Sequence, residues 1–250
     1  MPGNAVTSKL ASRWYSERLE RDVSVVRWGQ YGQPVLVFPT AGGDAEEIER
    51  FHLVGACRDL LDAGRIKVYS VDSVNGRALL AREGDTGRQA WIQRQFFEFI
   101  RHELVPAVRS DCASGDIEVI AAGASIGAFN ALTCLCLHPD IFCAAIGMSG
   151  TYDLRRFFHG PVGADFAGSS PLDLVPGLGG DHLDQLRSRF VILASGEGDN
   201  ENIGESWHVA NVLGQAGIPN RVDSWGQHWP HDWPLWRAML PGYLDGLVAA

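Results

Sequence analysis

The sequence predicts an α/β fold: one mixed, mostly parallel, eight-stranded sheet with helices on both faces. Three observations carry this. From residue 34 onward the short apolar runs are continuous rather than alternating, as strands covered on both faces must be. Segments of helical period separate those runs, which makes the connections crossovers between parallel strands. Before residue 30 the pattern alternates instead, as in a half-solvated hairpin.

Taken in order, the hairpin is read from "RWYSERLERDVSVVRWG", with strands near 12–19 and 22–29. The covered strands follow as "PVLVFPT" (34–40), "IKVYSVD" (66–72), "DIEVIAAG" (116–123), "CAAIGMSG" (143–150), "RFVILAS" (189–195) and "NRVDSWG" (220–226). Helical patterns fall near 44–62, 87–109, 126–137, 201–216 and 233–248. Residues 153–188 break the alternation, mixing Gly, Pro and Ser with Phe157, Phe158 and Phe166, and read as a cap or long loop insertion. No repeat or linker divides the chain, so residues 1–250 are expected to form a single domain.

Composition narrows the function. A chain of 250 residues, 46% hydrophobic, can bury a full core. Its net charge of −9 disfavours nucleic acid and anionic membrane surfaces, which select basic patches, so a small-molecule substrate is expected. The opening "MPGNAVTSKLASRWYSERLERD" lacks an apolar core followed by a cleavage site, and nowhere do eighteen apolar residues run together. The expectation is a cytoplasmic protein without a membrane partner. Five cysteines, odd in number and without a C-x-x-C pair, read as small buried hydrophobes.

The chemistry starts at "AAGASIGAFNAL" (121–132), a strand end, a tight corner and a helix start. The corner is G-x-S-x-G, with Gly123, Ser125 and Gly127. Small residues on either side let a sharp strand-to-helix turn push the serine hydroxyl clear of the sheet, beside the positive end of a helix. A dinucleotide site would need glycine where Ser125 stands and an acidic residue after the next strand, so no cofactor is expected. A serine nucleophile needs a histidine base and an acid that orients it. "SGEGDNEN" after the seventh strand offers Glu197, Asp199 and Glu201, and the loop after the eighth offers His228 and His231. Asp153, after the sixth strand, is a second location for the acid. His228, His231 and Asp232 could ligate a metal, but no further ligand cluster supports one, and none is expected.

With these pieces, "VLVFPTAGGD", "GASIGAFNAL" followed by "HPDIF", "MSGTYDL", "GEGDNEN" and above all "HDWPLWRAMLPGYL", the chain resembles the α/β-hydrolases, in the putative-esterase group that includes esterase D and mycolyltransferase-like proteins. The resemblance runs from the third strand to nearly the end, and places the nucleophile on Ser125, the base on His231 and the acid on Asp199. Asp199 follows the strand-seven turn at a length that lets a short side chain reach across, whereas Glu201 reads as a solvated loop charge. For the oxyanion hole the backbone N–H groups of Ile126 and of Ala41, in "FPTAGGD", are the expected donors. Trp233 and Trp236, three apart on a helix, read as a core stripe, and Trp229 flanks the histidine. The expected function is a serine esterase that cleaves a carboxylic ester through an acyl-enzyme. An acyltransferase on the same fold, or a non-catalytic binding protein, are the alternative readings.

Overall fold

The N-terminal alternation closes as an antiparallel hairpin of β1 (Lys9–Ser16) and β2 (Arg21–Trp28) in the computed structural model, which describes residues 8–249. Residues 1–7, read above for a leader segment, lie outside the described residues. The covered runs become β3 (Gln33–Phe38), β4 (Ile66–Val71), β5 (Val119–Ala124), β6 (Phe142–Met148), β7 (Phe190–Ser195) and β8 (Asn220–Ser224). One eight-stranded sheet results, in the order β1-β2-β4-β3-β5-β6-β7-β8. β2 pairs antiparallel with β4, and every pair from β4 to β8 is parallel.

Alternate residues of the central strands feed two separate cores. Leu36 and Phe38 of β3, Ala121 of β5 and Leu193 of β7 face one; Val35 and Val37, Ile120 and Ala122, and Ile192 and Ala194 face the other. This is why those strands carry no alternation in sequence. The first core is covered by α1 (Val74–Leu80), α2 (Thr86–Phe99), α3 (Val105–Asp111), α4 (Ile126–Leu137) and α5 (Ile203–Gln215), the second by α6 (Trp233–Val248) with the short turns of residues 47–62. Among the described residues no helix is long and apolar enough to cross a membrane.

Three stretches differ from expectation. The pattern near 44–62 is three short helices, Glu47–Arg50, Leu53–Ala56 and Arg58–Asp62, because His52 takes a left-handed conformation (φ 63°) that ends the first. The segment 87–109 is α2 running into α3 through a π turn at Ile100–Leu104, just ahead of Pro106, which has no N–H to give the helix ladder. α1, between the fourth strand and α2, had no periodic signal because Gly76 and Asn75 interrupt its apolar face.

Residues 153–188 fold as short helical pieces, including Ala164–Ala167, Pro171–Leu174 and Gly180–Arg187, packed on α2, α4 and α5. Phe158 and Phe166 are buried and meet edge to face at 5.0 Å, and Gln93 of α2 donates to Ser169. These aromatics fill the flank of the first core.

Candidate active site

At the end of β5 the backbone turns through Ser125 at φ 57°, ψ −122°, a region that a side chain rarely occupies, and α4 starts at the next residue. The two glycines allow this. A Cβ at Gly123 would lie 2.3 Å from the backbone of Gly127, and one at Gly127 would lie 2.5 Å from the Phe38 carbonyl oxygen. Backbone bonds brace the corner: Ser125 N–H donates to the Met148 carbonyl (3.0 Å), and Thr151 N–H to the Ser125 carbonyl (3.2 Å). Ile126 N–H is the first of the helix and has no partner within it.

The loop carrying Ala41 is fixed beside this corner. Thr40 donates from its N–H (2.7 Å) and its hydroxyl (2.8 Å) to the buried Glu47 carboxylate, and Ser73 N–H donates to the Gly43 carbonyl. α1 presses on the same loop, since a Cβ at Gly76 would lie 2.6 Å from the Ala41 carbonyl oxygen. Gly127 against Phe38 and Pro39 closes the other side.

His231 ends the loop after β8, immediately before Asp232, whose carboxylate caps α6 by accepting from Trp233 N–H (2.7 Å). The cap explains the spacing of the His-Asp-Trp block: it fixes the helix start and with it the histidine. His231 Nδ1 lies 3.5 Å from Oε2 of Glu201, and its ring stands perpendicular to the Trp236 indole at 5.3 Å.

The carboxylate beside His231 is therefore that of Glu201, which the sequence reading had taken for a solvated loop charge. Its side chain is only 1% exposed. Ser195 Oγ is 3.0 Å from Oε2, and Ser149 Oγ hydrogen-bonds Oε1. Burial pushes the Glu201 carboxyl up, but its interactions with His231, Ser149 and Ser195 outweigh this and hold it below the ordinary range.

Asp199, the expected acid, is exposed and meets the histidine through its backbone instead, its carbonyl accepting His231 N–H at 2.9 Å. That bond leaves the Asp199 side chain pointing out of the loop, while the chain turns Glu201 inward two residues later. Glu197 is exposed and accepts from Ser224, Asp153 caps the turn Leu154–Phe157 by accepting from Arg155 N–H, and His228 is exposed. Trp233 and Trp236 are core residues, and Trp229 packs edge to face on Trp225. The sequence reading missed Ser149, Ser195 and Trp236 as site residues. A signal existed: strands six and seven both run into Ser-Gly, which puts a hydroxyl at each strand end.

Among the described residues no group of three or more His, Cys, Asp and Glu could hold a metal ion. Burial pushes the Cys57 and Cys136 thiols up to about 12, so neither offers a thiolate.

No curated protein matches this sequence significantly. Among solved structures, the chain is similar to a ferulic acid esterase (TM-score 0.74, 17% identity, 97% of this chain and 98% of that one). It is similar also to an S-formylglutathione hydrolase from Agrobacterium tumefaciens (0.72, 12%, 96% and 94%) and to the fluorophosphonate-binding serine hydrolase F of Staphylococcus aureus (0.70, 12%, 97% and 98%). These likenesses establish the α/β-hydrolase fold. The family described as "Putative esterase" matches residues 56–246, most of the chain. The chain thus belongs to that esterase family and is a carboxylic ester hydrolase on the α/β-hydrolase fold.

Proposed function

We propose that the protein hydrolyses a small-molecule carboxylic ester with Ser125 as nucleophile, His231 as base and Glu201 as the acid that orients it. The observation that carries this is the buried Glu201 carboxylate 3.5 Å from His231 Nδ1, hydrogen-bonded by Ser149 in the segment whose Met148 and Thr151 bond the peptide groups of the strained Ser125. Glu201 takes the role the sequence reading gave to Asp199.

In the proposed sequence His231 takes the Ser125 proton on Nε2 as Oγ adds to the ester carbonyl. The oxyanion is held by the N–H groups of Ile126 and Ala41, each donor contributing about 3–4 kcal/mol. The C–O bond to the alcohol then breaks, His231 returns the proton to that alcohol, and a water deprotonated by the same histidine cleaves the acyl-enzyme. Glu201 holds Nδ1–H, which leaves Nε2 free to accept. We assign the protein to the cytoplasm as part of this reading, which its five unpaired thiols support.

Intact mass after incubation with a fluorophosphonate tests the nucleophile. One adduct on the parent and none on Ser125→Ala is expected. No adduct on folded parent protein, or an adduct that survives Ser125→Ala, would overturn the assignment.

A further inference from the structure

We infer that Ser149 and Trp236 are positioning residues for the reaction: the Trp236 indole commits the single Ser149 proton to Glu201, and so fixes the face that Glu201 turns to His231. This rests on the reading of Glu201 as the acid.

The chain of donors has only one direction. Indole nitrogen can only donate, and Trp236 Nε1–H lies 2.9 Å from Ser149 Oγ, so it occupies a lone pair of that hydroxyl. The remaining proton of Ser149 then goes to Glu201 Oε1. Ser195 is not constrained in this way. Its one proton has two acceptors at nearly equal distance, Gly196 carbonyl oxygen at 2.9 Å and Glu201 Oε2 at 3.0 Å. With Oε1 committed to Ser149, Oε2 is the oxygen left for Nδ1 of His231.

Two further observations single out Ser149. Its φ is +46°, a left-handed conformation that a serine adopts at a cost, and here it aims Oγ at both Trp236 and Glu201. The residue before it and the second residue after it are bonded to the nucleophile's own peptide groups, Met148 through Ser125 N–H and Thr151 through the Ser125 carbonyl, while Ser149 N–H donates to the Ala194 carbonyl at 2.7 Å. One four-residue segment thereby touches the nucleophile's backbone, the end of β7 and the acid. Trp236 adds a second constraint, because the ring that donates to Ser149 is the one standing perpendicular to the His231 imidazole.

The test is steady-state hydrolysis of p-nitrophenyl acetate by Ser149→Ala, Trp236→Phe and Glu201→Gln, singly and combined. Ser149→Ala is expected to lower kcat roughly 10- to 100-fold, the range of a lost hydrogen bond to a charged group, with KM within about twofold. Trp236→Phe keeps a ring beside His231 and loses only the donor, so a fall of about 2- to 10-fold is expected. Neither loss should add to the other in full, and neither should persist in the Glu201→Gln background. Parent-like kcat in Ser149→Ala and Trp236→Phe, with Glu201→Gln inactive, would overturn the inference and leave the acid assignment standing; so would fully additive losses. Parent-like kcat in Glu201→Gln would overturn both.

Discussion

Replacing Glu201 by glutamine while leaving Asp199 alone separates the two candidate acids most sharply. Glutamine preserves the shape, so the packing around the 1% exposed side chain changes little. What disappears is the charge. Two unit charges 3.5 Å apart attract by about 5 kcal/mol at the effective dielectric of about 20 that suits partly buried sites, the size of what Glu201 offers the imidazolium formed in the transition state. At about 1.4 kcal/mol per factor of ten, kcat should fall by three to four powers of ten. The tautomer works in the same direction. Ser149 has its proton to give, so the amide oxygen must face it, and the amide N–H₂ takes the position of Oε2 beside His231. A donor facing Nδ1 places the imidazole proton on Nε2, where it blocks acceptance of the serine proton. Asp199→Asn, at an exposed position whose backbone bond to His231 survives, should stay within about twofold of the parent. Initial rates on p-nitrophenyl acetate, together with fluorophosphonate labelling rates, measure both variants. An active Glu201→Gln beside an inactive Asp199→Asn would refute the reasoning.

Three other outcomes are expected. Gly127→Ala forces a methyl against the Phe38 carbonyl, with no side chain able to move aside, and should destabilise by about 1–3 kcal/mol, visible as a Tm lower by about 5 °C; an unchanged melt would show that the corner can open. Phe166→Ala removes a buried ring from the segment 153–188 and should lower unfolding stability by about 3–5 kcal/mol in a denaturant titration. A loss under about 1 kcal/mol would mean that the segment is not part of the core. The third concerns pH. Glu201 has its carboxyl pKa depressed by folding, so its contribution to stability is present above the unfolded value of 4.5 and is lost as pH falls through the folded one. The stability difference between parent and Glu201→Gln, measured by chemical unfolding, should hold above pH 4.5 and shrink below it; a difference that grew on acidification would contradict the depressed pKa.

Much of this protein was readable along the chain because the relevant physics is local. Continuous apolar runs marked the strands that two helical layers cover, and the helices 126–137 and 233–248 begin and end where their patterns do. Gly123 and Gly127 marked the corner, since only a residue without a side chain fits a strand-to-helix turn that tight, and the structure accounts for both by backbone contact. Asp232 beside His231 is likewise a local signal, the cap of the helix that follows. The first strand was read three residues late, because a solvated edge strand with Lys9, Arg13 and polar neighbours has little periodicity to locate it.

Which carboxylate lies beside His231 was decided only by the tertiary structure. In sequence, Glu197, Asp199 and Glu201 are three carboxylates on one loop, and distance from the strand-seven turn favours Asp199, whereas the structure sets Glu201 beside His231. What ranks them comes from elsewhere: the Ser149 hydroxyl from the end of β6, the Ser195 hydroxyl from the end of β7, the Trp236 indole from α6, and the peptide N–H of His231, which takes the Asp199 carbonyl. A carboxylate buried to 1% exposure stays ionised only where such donors meet it, and their meeting depends on strands and a helix up to 87 residues apart in the chain. The sequence by itself determined that a serine would stand at this corner; the fold determined which carboxylate would face His231.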